Sequence, residues 1–243
     1  MNTRFWGPSG WKFLHSLAAL YPDKPTIGNK ILMRDFMNIV CDILPCKYCR
    51  ASFTKYSKSL NIMNYLDNTE LMQEWVYKMH NKVNSKLKRQ GFCKLENPTF
   101  ASVLTKYGKI TNPDELYNMG YEFLGSIIFN YQGYFANCHT SDEKTKIISN
   151  YHKFFNMIPQ ILNRKQEVMK IRQILIHNEP YTKLKLWFYN TISNKNVKDY
   201  EEFEHYFNKH IVATCNSTNA DKIKSCRKLS RSEKKLYTKR HKN

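Results

Sequence analysis

The chain has 243 residues, 42% of them hydrophobic and 24% charged, which excludes a disordered or fibrous chain and leaves enough apolar side chains for a packed core. No stretch approaches the ~18 uninterrupted apolar residues of a membrane span, and residues 1–6 carry no apolar leader, so neither a transmembrane helix nor a secretory signal is expected. The net charge of +19 is the kind that draws polyanions through the whole-protein field, or simply keeps a Lys-, Asn-, Ile- and Tyr-rich chain in solution.

Trp11, Leu14, His15 and Ala18 at helical spacing predict a first helix over 8–21, with Pro8 in its first turn and Tyr21-Pro22 as its end. Ile31, Met33, Phe36, Met37, Val40 and Ile43 predict a second over 27–43, broken before Pro45. A third runs from Cys46 to about Lys58, with Pro45 suiting its first turn. Asp67-Asn68-Thr69 caps a fourth that reaches about Arg89. Leu71, Trp75, Met79, Val83 and Leu87 form its apolar stripe, with His80, Asn84 and Lys88 on an adjacent line. Gly91 stops it, and a short helical piece near 99–107 follows.

Asn112-Pro113-Asp114 marks a boundary. Beyond it, helices are expected over 121–134, 147–158, 160–177, 181–192 and 197–215, punctuated by Pro159 and Pro180. The aromatics at helical spacing there, among them Phe154, Phe155, Trp187, Phe188, Phe203 and Phe207, read as core or protein interface. No period-two alternation and no phosphate-binding glycine loop occurs, so the expected fold class is all-α. The organisation expected is a unit over 1–110, a second helical domain over 111–220 and a basic tail over 221–243. That tail carries ten Lys or Arg against two acidic residues and is a candidate polyanion contact.

Seven cysteines, at 41, 46, 49, 93, 138, 215 and 226, are too few and scattered for a disulfide scaffold, and the odd number leaves one outside any internal bridge. Cys46 and Cys49 are the one C-x-x-C. At a helix start beside Lys47 and Arg50 such a pair favours the thiolate. It is a redox dithiol or half a metal site. A four-ligand zinc site wants a second close pair, and only Cys93 with His80 could be recruited, so no metal is expected. A thioredoxin-like arrangement wants a βαβ unit, which is missing, so a redox dithiol here needs another electron acceptor.

Trp6-Gly7-Pro8, Trp11, Leu14-His15, Ala18 and Tyr21-Pro22, then Pro45-Cys46-x-x-Cys49 with Phe53, then His80-Asn81-Lys82-Val83-Asn84 with Leu87, occur in this order over residues 4–107. Together they resemble the Erv/ALR family of FAD-linked sulfhydryl oxidases. With its added helical segment and Asn/Lys/Ile-rich composition, the chain looks most like the large-DNA-virus, mimivirus-type members. The resemblance implies a four-helix bundle that holds FAD, commonly as a homodimer, and an enzyme that makes disulfides in protein substrates. Arg4, Gly7, Trp11, His15 and Tyr21 would reach the cofactor from the first helix. His80, Asn81, Val83, Asn84, Leu87 and Lys88 would grip it from the fourth.

Electrons would pass from a substrate dithiol to the Cys46/Cys49 disulfide, to FAD and on to molecular oxygen, giving hydrogen peroxide. Cys46 would be the outer sulfur facing substrate and Cys49 the inner one facing the flavin. Phe100 or Tyr107 would supply the aromatic that the family often places near the flavin. The location implied is the cytoplasmic assembly site of a virus, or the virion. The family's second structural bridge lacks a mate for Cys93, because Ile110 stands where it would be. Cys215 and Cys226 would form a structural bridge, or else a remote shuttle, and Cys41 and Cys138 would be buried thiols. The competing reading is a non-catalytic helical interaction module with a structural or zinc-binding C-x-x-C.

Overall fold

A computed structural model describes residues 3–92, 96–108, 110, 112–130, 141–177, 179–193 and 195–210. Within them lie eleven α-helices, one 3-10 turn and no strand, so the fold is all-α. The first half comprises α1 (Thr3–Ala19), α2 (Ile27–Ile43), α3 (Lys47–Ser59), a 3-10 turn (Ile62–Tyr65), α4 (Thr69–Arg89) and α5 (Phe100–Tyr107). The second comprises α6 (Glu115–Met119), α7 (Tyr121–Asn130), α8 (Ser141–Ile161), α9 (Lys165–Leu175), α10 (Pro180–Thr191) and α11 (Tyr200–Asn208).

The ends of these helices follow local chemistry. Thr26 and Asn29 form a reciprocal capping box that starts α2. Asn68 Oδ1 accepts the Leu71 N–H at 2.8 Å and starts α4. At the other end Gly91 takes φ +73, and the N–H groups of Gly91 and Phe92 bond back to Lys88 and Leu87. That left-handed closure needs glycine's freedom.

Pro8 is not in the first turn of α1, which begins at Thr3 and carries the proline inside it. The added turn is held by tertiary contacts that outweigh the missing hydrogen bond: Phe5 stacks on His210 with centroids 3.8 Å apart, and Trp6 is buried near Phe123. Pro45 likewise sits outside α3, because Cys46 is the N-cap with extended backbone angles.

In the first half α1 packs on α4, α2 on α3 and α3 on α4, with α5 bridging α1 and α4. The other sides of α1 and α2 are covered by the second half. Gly10 lets α7 approach α1 so closely that a Cβ there would sit 3.1 Å from the Phe123 ring. Phe36 of α2 stacks on Phe154 of α8 at 5.2 Å. One cluster of buried side chains therefore runs from Trp6 to Phe207 through both halves.

Three expected boundaries in the second half move. The segment expected over 147–158 is longer, starting at Ser141 and passing through Pro159 to Ile161. Its stop is Asn163, at φ 54, where the N–H groups of Asn163 and Arg164 bond back to Gln160 and Pro159. Asparagine tolerates the left-handed region, and the expected helix over 160–177 therefore shortens to α9. The last helix starts at Asp199, whose carboxylate accepts the Glu202 N–H at 2.8 Å, rather than at Val197. Residues 131–134 and 211–215 of the expected helices, the basic tail, and Cys93, Cys138, Cys215 and Cys226 lie outside the described residues.

Candidate dithiol and ring-cluster site

Cys46 is the N-cap of α3, and its carbonyl accepts the N–H groups of Cys49 and Arg50, each at 2.9 Å. The two cysteines are thus one helical turn apart at the positive end of the helix dipole. Arg50 Nη1 donates to the Leu44 carbonyl at 2.7 Å and ties down the segment that leads into the pair. Cys46 is only 4% exposed, whereas Cys49 is half-buried against the core and Tyr48 between them is exposed. Cys41, on α2, is also buried, with its sulfur 3.7 Å from Ser57 Oγ, and burial pushes its thiol pKa up.

Across the bundle, α1, α4 and α5 bring four rings together. Trp11 stacks on His80 with centroids 4.0 Å apart and planes 8° off parallel, and Tyr107 stacks on His15 at 4.7 Å. His15 Nε2 and His80 Nδ1 are 3.1 Å apart, so one nitrogen carries the proton and the other accepts it. Burial, then the neighbouring charges of His80 and Lys106, hold His15 down at about pKa 3. Burial and Lys106 hold His80 at about 4. Both imidazoles are therefore neutral at physiological pH. His15 Nδ1 is buried with no hydrogen-bond partner, which is costly unless something else fills that place.

The remaining expected residues are distributed around this cluster. Arg4, Gly7, Trp11 and His15 recur at helical spacing along α1, and a Cβ on Gly7 would meet no atom within 4 Å. Tyr21 is elsewhere engaged: its hydroxyl donates to the Leu66 carbonyl at 3.0 Å, and burial pushes its pKa up to about 12. On α4 the expected six residues occupy an arc of about 160° rather than one line, given 100° per residue. Asn84 and Lys88 turn toward the segment before α5, where Asn84 bonds Asn97 at 3.1 Å and Lys88 pairs with Glu96. Val83 and Leu87 are half-buried, and Asn81 lines a groove of about 510 Å³ between α3 and α4.

Phe100 stands apart from the ring cluster, against Tyr77 at 5.2 Å, so Tyr107 is the aromatic that joins it. Asn97 and Glu96 were not expected. Nothing in the sequence pattern marks them, because their partners lie on a helix that ended several residues earlier.

A flat aromatic ligand finds in this place stacking rings and an unmatched buried nitrogen, with open space beside Gly7. Among the described residues no three His, Cys, Asp or Glu side chains converge as metal ligands. No described helix is long and apolar enough to cross a membrane.

The fold and site together define an all-α bundle that carries a helix-start C-x-x-C and a part-buried ring cluster. Residues 8–102 match the Erv1 / Alr family. The FAD-linked sulfhydryl oxidase of African swine fever virus (isolate Pig/Kenya/KEN-50/1950) is 30% identical over 109 residues, 43% of this chain and 89% of that protein. The mitochondrial FAD-linked sulfhydryl oxidase of Saccharomyces cerevisiae is 40% identical over 86 residues, 35% of this chain and 44% of that one. The probable FAD-linked sulfhydryl oxidase of Acanthamoeba polyphaga mimivirus is 32% identical over 85 residues, 35% of this chain and 59% of that one. The chain spans about half the length of these last two relatives. No solved structure matches. The chain belongs to the Erv1/Alr family.

Proposed function

We propose that this chain is an FAD-dependent thiol oxidase that forms disulfides in protein substrates, with residues 1–110 as the oxidase unit and 111–220 as a helical domain beside it. The observation that carries this reading is the combination, in one bundle, of the Cys46/Cys49 pair with a ring cluster whose buried His15 Nδ1 has no partner. The names of the viral and yeast relatives support it. Trp11 and His80 would sandwich a ring of the cofactor, His15 would bond it through Nδ1, Asn81 and Asn84 would offer amides, and Lys88 would meet the diphosphate. Arg4, Gly7, Val83 and Leu87 would line the same place, and Tyr21 would support it from the end of α1. FAD, when bound, supplies a two-electron acceptor that hands the pair to molecular oxygen as hydrogen peroxide.

The dithiol chemistry is the chain's own. A substrate thiolate attacks Cys46 Sγ in the Cys46–Cys49 disulfide, the sulfur–sulfur bond breaks, and Cys49 Sγ leaves with the electron pair. A second substrate thiolate then attacks the substrate sulfur of the mixed disulfide. Cys46 Sγ departs with that bond's electrons, and the substrate keeps its new disulfide. The helix start favours both departing thiolates. Since Cys46 is 4% exposed, the segment that Arg50 pins through the Leu44 carbonyl must open before a substrate reaches it.

In this reading the substrates are protein dithiols and molecular oxygen, and the location is a cytoplasmic viral assembly site or the virion. A homodimer would form through faces other than those of α1 and α2 that α6, α7 and α8 cover. The tail over 221–243 would add a weak polyanion contact.

An absorbance spectrum of the purified chain, with an oxygen electrode trace on dithiothreitol, tests the reading. A yellow protein that consumes oxygen and releases peroxide is expected. A colourless protein that takes up no added FAD and consumes no oxygen would overturn it.

A further inference from the structure

We infer that the outer groove between α3 and α4 is a ligand site in its own right, suited to a nucleoside monophosphate or another small molecule with one flat ring and one phosphate. The inference goes beyond the thiol-oxidase reading and does not depend on it. The groove encloses about 510 Å³, within the ~300–1,000 Å³ range of small-molecule sites.

The two ends of the groove differ in chemistry. Trp75 Nε1 donates to the Leu60 carbonyl at 3.0 Å and Lys86 Nζ donates to Ser52 Oγ, so α3 and α4 run antiparallel. Leu60 and Tyr65 therefore lie at the Lys78 end, Tyr56 about one turn further along, and Arg89 at the far end. Lys78 Nζ donates to the Tyr65 hydroxyl at 3.1 Å and sits 5.1 Å from the centre of its ring, which fixes that ring before any ligand arrives. Glu74 meets the charge of Lys78 at 2.9 Å, whereas among the described residues no carboxylate pairs with Lys82 or Arg89, and none lines the groove. One end thus offers two phenol rings and a leucine. The other offers an ammonium and a guanidinium without counter-charge, beside the Ser85 hydroxyl.

This groove is separate from the ring cluster. At about 100° per residue, Lys78, Lys82, Ser85 and Arg89 fall within about 60° of one another and about 140–180° from His80, on the opposite side of α4. Asn81 alone borders both places, so the test leaves it untouched. The line from Lys78 to Arg89 is about 16 Å long, which suits one nucleotide. A simple anion would use only the cations, and an apolar ring only the tyrosines. A ringed phosphate uses both, with its ring on the phenols and its phosphate on the guanidinium fork and the ammonium.

Adenosine monophosphate, adenosine, inorganic phosphate and short oligo-deoxyadenylates, each titrated into the full chain as purified, test this. Binding is read by equilibrium dialysis and by the rise in melting temperature, since a ligand that bridges α3 and α4 stabilises the folded chain. Flavin absorbance is recorded in parallel to show whether any cofactor is displaced. The same titrations are run on the K82Q/R89Q double variant and on R89Q, whose side chain is exposed.

The monophosphate should bind about tenfold tighter than adenosine or phosphate alone, and K82Q/R89Q should lose that advantage while its flavin absorbance stays unchanged. If the double variant melts lower without ligand, R89Q decides, with a loss of about threefold expected. No binding of the monophosphate, or binding that both variants keep, overturns the inference. So does inorganic phosphate that binds as well as the monophosphate, because the tyrosines would then contribute nothing. Displacement of flavin by the monophosphate also overturns it, since the ligand would be occupying the cofactor's place. Affinity that climbs with oligonucleotide length and falls in the double variant overturns it as well, by making the groove part of an open nucleic-acid track. A colourless chain inert toward dithiothreitol overturns the oxidase reading instead, and the dialysis and melting data still decide this one.

Discussion

His15 and His80, sixty-five positions apart in the chain, meet nitrogen to nitrogen at 3.1 Å between α1 and α4. The contact holds only while the pair shares a single proton, because two imidazolium rings at that distance repel each other in a place that burial already makes hostile to charge. Their pKa values of about 3 and about 4 express that cost.

The pH dependence of stability follows from the sign of these shifts. Both folded values lie below the unfolded 6.5, so between pH 6.5 and about 3 the unfolded chain binds protons that the folded chain refuses. The contribution to stability is complete above pH 6.5 and is lost as pH falls through that window, by an amount of order a few kcal/mol for the pair. Urea midpoints at pH 7 and pH 4 measure it, and His80→Gln should shrink the difference. An unchanged difference in that variant would show that these histidines are not its cause.

Trp11→Ala removes the ring stacked on His80 without opening the main core, since Trp11 is only partly buried. Aromatic stacking of this kind is worth about 0.5–1.5 kcal/mol. The variant should retain FAD about tenfold less tightly, a factor that corresponds to about 1.4 kcal/mol, and keep most of its thermal stability. Flavin absorbance after gel filtration and a melting curve separate the two effects.

Cys49→Ser and Cys46→Ser should each leave a yellow, folded protein that no longer oxidises dithiothreitol. Each keeps the bundle and removes one of the two sulfurs that a disulfide needs. Wild-type oxygen uptake by Cys49→Ser would remove this cysteine from the chemistry.

Gly125 lies where a Cβ would land within the Phe207 ring, so Gly125→Ala must push α7 from α11. Overpacking of this sort costs about 1–3 kcal/mol. Because one buried cluster joins both halves, the loss should lower a single melting transition rather than release the second half alone. Calorimetry showing an unshifted main transition with a new early one would mean that the halves unfold independently.

The all-α class and most helix ends were legible from residue types. Asn68, Gly91 and Pro180 act on backbone groups within a few positions, so a local reading finds them. Where local signals misled, contacts from far along the chain had intervened. Pro8 looks like a helix start and Pro159 like a break, yet Phe5 and Trp6 are anchored by aromatics of α11 and α7, and α8 closes at Asn163 instead.

The candidate site divides in the same way. The Cys46/Cys49 pair and the line of His80, Asn84 and Lys88 are set by spacing along single helices, so the sequence alone determined them. That His15 faces His80 rather than solvent, that Tyr107 and not Phe100 completes the ring cluster, and that Cys46 is the more buried sulfur were decided only by how α1, α3, α4 and α5 pack. A helix fixes which residues share a face, but the direction of that face is settled by which apolar surfaces the whole chain can bury together.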